Sequence, residues 1–236
     1  MLQLLIFFAS MSSALEIPQQ LTPDDQRRVL EIVGLGTTGK FLSEAHSLGG
    51  FSGLELSLSV ESINTREIST LGNQVSTTQQ FFYPNLTIGK GIFNNSDIFI
   101  YFIPPINNSD LSKYGASFRW SFYEALFLPI NFSVITHINS SNIKNQVILR
   151  NLGADLLAGM TLNNFSFSFG LGWANSAGNF TGGTNGVTLS QQLEGRKVES
   201  SHFTIGGTYK IDAFFFGISL DRYKEEVVTF KAGLRF

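Results

Sequence analysis

At 236 residues the chain holds one large domain or two small ones, and only 14% of it is charged, against about 25% in ordinary globular proteins. A net charge of −2 with no basic stripe argues against nucleic acid as a partner, and the absence of cysteine excludes disulfides, thiol catalysis and cysteine-based zinc sites. Hydrophobic residues reach 43% and phenylalanine alone fills 23 positions, yet no run supplies the roughly 18–20 apolar residues of a membrane helix. Such a chain is either a soluble β-sandwich or lipocalin-like barrel, or a barrel whose outer face meets lipid.

Residues 1–14 have the apolar core and small-residue end of a secretory signal peptide, with cleavage expected near Ala14. No Lys or Arg precedes that apolar run, which leaves an N-terminal core strand as the alternative. Residues 15–49 form a separate N-terminal segment, expected in the periplasm or tucked plug-like into a barrel mouth. Within it, Thr22-Pro-Asp-Asp25 has a capping residue, a proline at the first helical position and acids in the first turn. A short helix should run through Val33, with Gly34 able to end it. The stretch Gly34-Leu-Gly-Thr-Thr-Gly39-Lys40 has the spacing of a phosphate-binding loop. Phe41 stands where that motif needs a hydroxyl, and no strand precedes it, so a glycine-rich connection is the simpler reading.

From Gly50 onward the hydrophobic period is two. Leu54, Leu56, Leu58 and Val60 alternate with Glu55, Ser57, Ser59 and Glu61; Phe165, Phe167, Phe169, Leu171 and Trp173 alternate with Ser, Gly and Ala. Strands are expected at about 50–63, 81–92, 97–106, 112–124, 127–139, 146–162, 164–175, 201–211, 213–222 and 226–236. The run 97–106 is apolar on both faces and ends in Pro104-Pro105. Connections alternate between longer (64–80, 107–111, 140–145, 176–200) and tight, the rhythm of a barrel with long outer loops and short periplasmic turns. The small Gly, Ser and Thr of the polar face suit a narrow lumen.

Inward positions on this reading carry Glu55, Glu61, Arg119, Asp155, Lys210, Lys231 and Arg235. Closing first strand on last would bring Glu55 and Glu61 beside Lys231 and Arg235, where opposite charges favour the pairing. Mixed signs point to a salt-bridged core; a ring of one sign would indicate ion selection. Tyr83, Tyr101, Tyr114, Trp120, Trp173, Tyr209 and Tyr223 fall near strand ends and are expected as an interfacial belt, with carbohydrate stacking as the alternative. A hydrolase site would need His137 or His202 as base beside Ser140, Ser141, Ser200 or Ser201, but no hydrolase motif surrounds them. His46, His137 and His202 are too scattered to suggest a metal site.

The chain ends Val228-Thr-Phe-Lys-Ala-Gly-Leu-Arg-Phe236, with one apolar face, one polar face and a terminal aromatic. This strand resembles the closing strand of Gram-negative outer-membrane β-barrels, whose terminal Phe is part of the signal read by the insertion machinery. The resemblance implies an all-β, antiparallel up-and-down transmembrane barrel of about ten strands over residues 50–236, with Phe236 as its assembly signal. It also implies outer-membrane lipid, lipopolysaccharide and the barrel-assembly machinery as partners, and a monomer. No catalytic residue, cofactor or metal is assigned. Two functions follow: a narrow porin-like channel for small solutes, or a non-conducting structural or surface-interaction barrel presenting loops 64–80 and 176–200.

Overall fold

The structure, a computed structural model, describes residues 15–40, 44–73, 79–103, 111–125, 129–183, 186–188 and 193–236. Residues 1–14, read as an export signal, and parts of the two long loops lie outside the described residues. Ten antiparallel strands form one sheet: β1 (Leu54–Asn64), β2 (Gln80–Gly91), β3 (Ser96–Phe102), β4 (Leu111–Glu124), β5 (Ile130–Ile143), β6 (Val147–Leu162), β7 (Phe165–Phe180), β8 (Glu194–Ile211), β9 (Phe214–Arg222) and β10 (Glu226–Arg235). Each strand pairs with its sequence neighbours, and β1 pairs with β10, which closes the sheet into a barrel without an edge.

The two-residue period decides which side chains go where. On β1, Glu55, Ser57, Ser59, Glu61 and Ile63 are buried inside while Leu54 faces out. On β7, Phe165, Phe167, Phe169, Leu171 and Trp173 are all exposed on the outer face. Those nine positions span roughly 30 Å of tilted strand, the reach of a lipid-crossing strand of about 9–11 residues. Exposed aromatics and aliphatics recur on the neighbouring strands, from Phe118 and Trp120 on β4 to Phe214, Phe216 and Ile218 on β9. A continuous apolar exterior around a polar or filled lumen is the architecture of a transmembrane barrel.

Loop lengths orient it. Connections at the Phe236 end are short, with Asn163 and Asp212 taking the left-handed backbone that two-residue turns require. The opposite end carries the long connections 65–79 and 181–193 and is the outer face. Strands β5 to β8, of 14, 16, 16 and 18 residues, are much longer than β3, β9 and β10, of 7, 9 and 10. Past the apolar band their outward residues turn polar (Asn142, Arg150, Asn175, Asn179), yet the ladder continues. The wall is therefore taller on one side and projects beyond the membrane.

The described residues 15–40 and 44–48 line and fill the space inside. Helix α1 (Pro23–Val29) is capped by Thr22, whose hydroxyl accepts from the Asp25 amide while the Asp25 carboxylate accepts from the Thr22 amide at 3.0 Å. It widens into a π-turn over Leu30–Gly34, and the helical backbone runs on through Gly36 rather than stopping at Gly34. The helix caps the outer mouth, with Val29, Leu30, Ile32 and Val33 turned inward and Asp24 and Arg27 turned to water. From there the chain descends the lumen to the Phe236 end and enters β1.

Candidate functional site

The lumen is the site, and it is stacked in three layers. The outermost is apolar. Leu15, Ile17, Leu21, Val29, Leu30, Ile32, Val33 and Leu35 of the segment pack against wall residues that include Ile63, Phe81, Leu149, Phe180, Val198 and Val227. Its rim is tied down by polar contacts: the Leu21 amide donates to the Val187 carbonyl at 2.8 Å, and Gln26 donates to Glu194 at 2.6 Å. Arg28 reaches three carboxylates, Glu31 at 2.9 Å, Glu225 at 2.7 Å and Glu67. Burial alone would lower the Arg28 pKa; the carboxylates outweigh it and hold the guanidinium above its ordinary value.

The glycines of the phosphate-loop-like stretch have a steric role here. A Cβ on Gly34 would sit 2.3 Å from the Ser176 hydroxyl, one on Gly36 would sit 2.9 Å from Ile63, and one on Gly39 would sit 2.3 Å from the Tyr101 hydroxyl. Three glycines let the descending chain graze three parts of the wall. Thr37 and Thr38 turn their hydroxyls back to the Gly34 carbonyl, and Lys40 donates to the Leu35 carbonyl. The stretch ends a helix rather than opening one, so it offers no cradle of amides to a phosphate.

The middle layer holds two buried clusters. Glu61 accepts from Asn85 at 2.6 Å and from Tyr83, with Lys113 at 3.5 Å. Asp155 lies between two histidines, His202 at 2.7 Å and His137 at 3.3 Å. Tyr223 stacks on His202 at 4.2 Å, and the Lys40 ammonium lies 4.0 Å over the Tyr223 ring. Gly153 and Gly172 make room for the histidines, since a Cβ on either would strike His137 or Asp155. Among the described residues neither histidine hydrogen-bonds a serine: Ser140 donates to the Leu149 carbonyl and Ser200 to the Ser201 carbonyl. The base–nucleophile contact weighed for these residues is not made among the described residues.

The layer nearest the periplasm binds the seam, the wall and the segment together. Glu55 accepts from Lys231 and Arg235, each at 2.7 Å, and Arg235 also reaches Glu44 of the segment. Arg119 makes two contacts with Asp97 at 2.7 Å and donates to the Glu44 carbonyl. Asp97 accepts from the Leu48 amide at 3.0 Å, and Ser121 donates to the Ala45 carbonyl at 2.9 Å. Burial pushes the Glu44 carboxyl up, but His46 and Arg235 outweigh it and bring its pKa down to about 2. Glu44, Glu55 and Asp97 thus face Arg119, Lys231 and Arg235, so both signs of charge are interleaved here.

All seven charged residues assigned to the lumen point inward: Glu55, Glu61, Arg119, Asp155, Lys231 and Arg235 are buried, and half-buried Lys210 sits at the periplasmic rim. The pairing expected for Glu61 does not form. Glu61 stands opposite Thr229 in the β1–β10 register, and its partners come from β2 and β4. The aromatic belt also needs correction. Tyr114, Trp120 and Trp173 face outward, but Tyr83, Tyr101 and Tyr223 are buried in the lumen. Lys113 and Asp97 were missed, although both continue the inward parity of their strands.

No family model and no curated protein matches the chain. Solved structures with a similar arrangement include the attachment invasion locus protein Ail of Yersinia pestis, at 16% identity, TM-score 0.30, over 78% of this chain and 96% of that one. The N-terminal β-barrel domain of Pseudomonas aeruginosa OprF aligns at 13% identity, TM-score 0.32, over 79% and 99%, and Neisserial surface protein A at 10%, TM-score 0.31, over 78% and 94%. At such scores the assignment rests on the chain's own geometry.

Proposed function

We propose that this barrel of the bacterial outer membrane is non-conducting, sealed by its own N-terminal segment and holding a tall wall and outer loops at the cell surface. The observation that carries the reading is the apolar outer layer. Eight apolar side chains of the segment are buried there, and at roughly 1.5–3 kcal/mol each their exposure would cost on the order of 10–20 kcal/mol. Emptying the lumen would also wet the facing wall residues and leave Asp97 and Arg235 without their segment partners. A gate that opens in ordinary operation needs two states only a few kcal/mol apart. This segment behaves as a core.

The porin-like reading keeps one supporting observation: the lower wall is lined by small polar groups such as Ser133, Ser166, Thr204 and Thr208, which would suit solute passage if the segment left. Single-channel recording in planar bilayers separates the two. The full chain should give no current steps above the bare bilayer; regular steps from the full chain would overturn the sealed reading in favour of a channel.

A further inference from the structure

Among the described residues the lipid-facing wall is concave at the barrel seam and again beside Phe167 and Phe230, and the seam groove is the one with a cation near its foot. Across the barrel seam, outward residues align in rows set by the register: Leu86, Leu58, Ala232 and Phe216 in one, and Ile88, Leu56, Leu234 and Phe214 in the next toward the periplasm. Ala232 is the small residue between Leu58 and Phe216, and its methyl group forms the floor of the row. The larger neighbours stand above this floor and enclose a groove of about 350 Å³ lined by Leu56, Leu58, Leu86, Phe214, Phe216 and Leu234.

One further row toward the periplasm, Lys90 takes the outward position on β2 opposite Leu54. It ends the outward run Leu86, Ile88, Lys90 and is exposed. Its ammonium donates to the Phe51 carbonyl, and among the described residues it has no carboxylate partner. A cation at the foot of an apolar trough, four residues or about 13 Å along the strand from Leu86, matches an amphiphile with an anionic head and a hydrocarbon tail. We propose that this groove is a binding site for a phospholipid of the periplasmic leaflet, one acyl chain lying over Ala232 and the phosphate at Lys90. The assignment rests on the barrel being in the membrane and is independent of whether the lumen conducts.

The test uses the full chain in mild detergent with added phosphatidylglycerol, and counts bound lipid by native mass spectrometry. Ala232→Phe fills the floor, Lys90→Glu reverses the head contact, and Ala154→Phe alters an outward position on a distant strand. One retained lipid is expected in the wild type and in Ala154→Phe, with about tenfold lower occupancy in the other two. Equal retention in all four proteins overturns the site, and retention by Lys90→Glu alone overturns the phosphate assignment. A wild-type dimer that Ala232→Phe dissociates would give the groove to a second copy instead. Heat-dependent gel mobility of each variant reports whether the barrel itself is intact, so a failed membrane fold is not mistaken for a failed lipid site.

Discussion

Arg235 on the last strand lies 2.7 Å from Glu55 on the first, directly across the seam that closes the barrel. The same guanidinium holds Glu44 of the luminal segment, so closure of the wall and seating of the segment share one cation. Buried pairs of this kind do little for net stability while intact, but removing one partner costs about 3–5 kcal/mol because the other charge is left alone.

The seam therefore gives the first prediction. Lys231→Glu should impair assembly, because it sets a second carboxylate directly against Glu55 and removes the contact at 2.7 Å. Adding Glu55→Lys in the same chain should partly restore the heat-modifiable barrel on a detergent gel. Glu61→Lys should give no rescue, since Glu61 faces Tyr83, Asn85 and Lys113. Equal rescue by both would contradict the register.

Arg28 fastens the cap. Its side chain is partly exposed, so its contacts with Glu31, Glu67 and Glu225 are screened, and Arg28→Ala should cost only about 1 kcal/mol. Hydrogen exchange should quicken over residues 23–35 while the strands stay protected. Unchanged exchange in the helix would show that the apolar layer alone holds it.

Glu44 links the seat of the segment to pH. Its folded pKa of about 2 lies below the unfolded value, so between about pH 2 and 4.3 the folded state binds fewer protons than the unfolded one. Its stabilising contribution is complete above about pH 4.3 and fades as pH falls toward 2. The denaturant midpoint should drop across that window in the wild type, and Glu44→Gln should flatten this part of the slope. A slope that persists unchanged in Glu44→Gln would place the titration elsewhere.

Close approach makes Gly39 sensitive. Gly39→Ala brings a methyl group into the Tyr101 hydroxyl and should destabilise the protein by about 1–3 kcal/mol. Tyr101→Phe removes that hydroxyl, so the double variant should recover part of the loss in a denaturation cycle. Additive losses would mean the two residues do not meet.

The barrel was legible because lipid outside and a filled lumen inside force a period of two on every strand, as in Leu54–Val60 and Phe165–Trp173. The same logic hid the upper parts of β5, β7 and β8. Outward residues such as Asn142, Asn175 and Glu199 turn polar where the wall leaves the membrane, so the hydrophobic alternation stops while the hydrogen-bonded ladder goes on. The capping box at Thr22 marked α1 correctly, because capping is local. What surrounds residues 35–40 and 44–48 was not readable: these stretches have no period of their own, and their burial is imposed by a lumen built from residues far along the chain. Tyr83 and Tyr101 misled for a related reason, since an aromatic near a strand end suits the interface until parity turns it inward.

The claim on which the rest depends is that the N-terminal segment sits inside the closed wall. Because the chain has no cysteine, a single engineered pair reports on it cleanly. A Cβ on Gly34 would lie 3.1 Å from that of Ser176, close to the roughly 3.5–4.5 Å of a disulfide. In cells, Gly34→Cys with Ser176→Cys should form an intramolecular bridge in the folded, heat-modifiable barrel. A folded barrel in which both thiols stay free under oxidising conditions would contradict an occupied lumen.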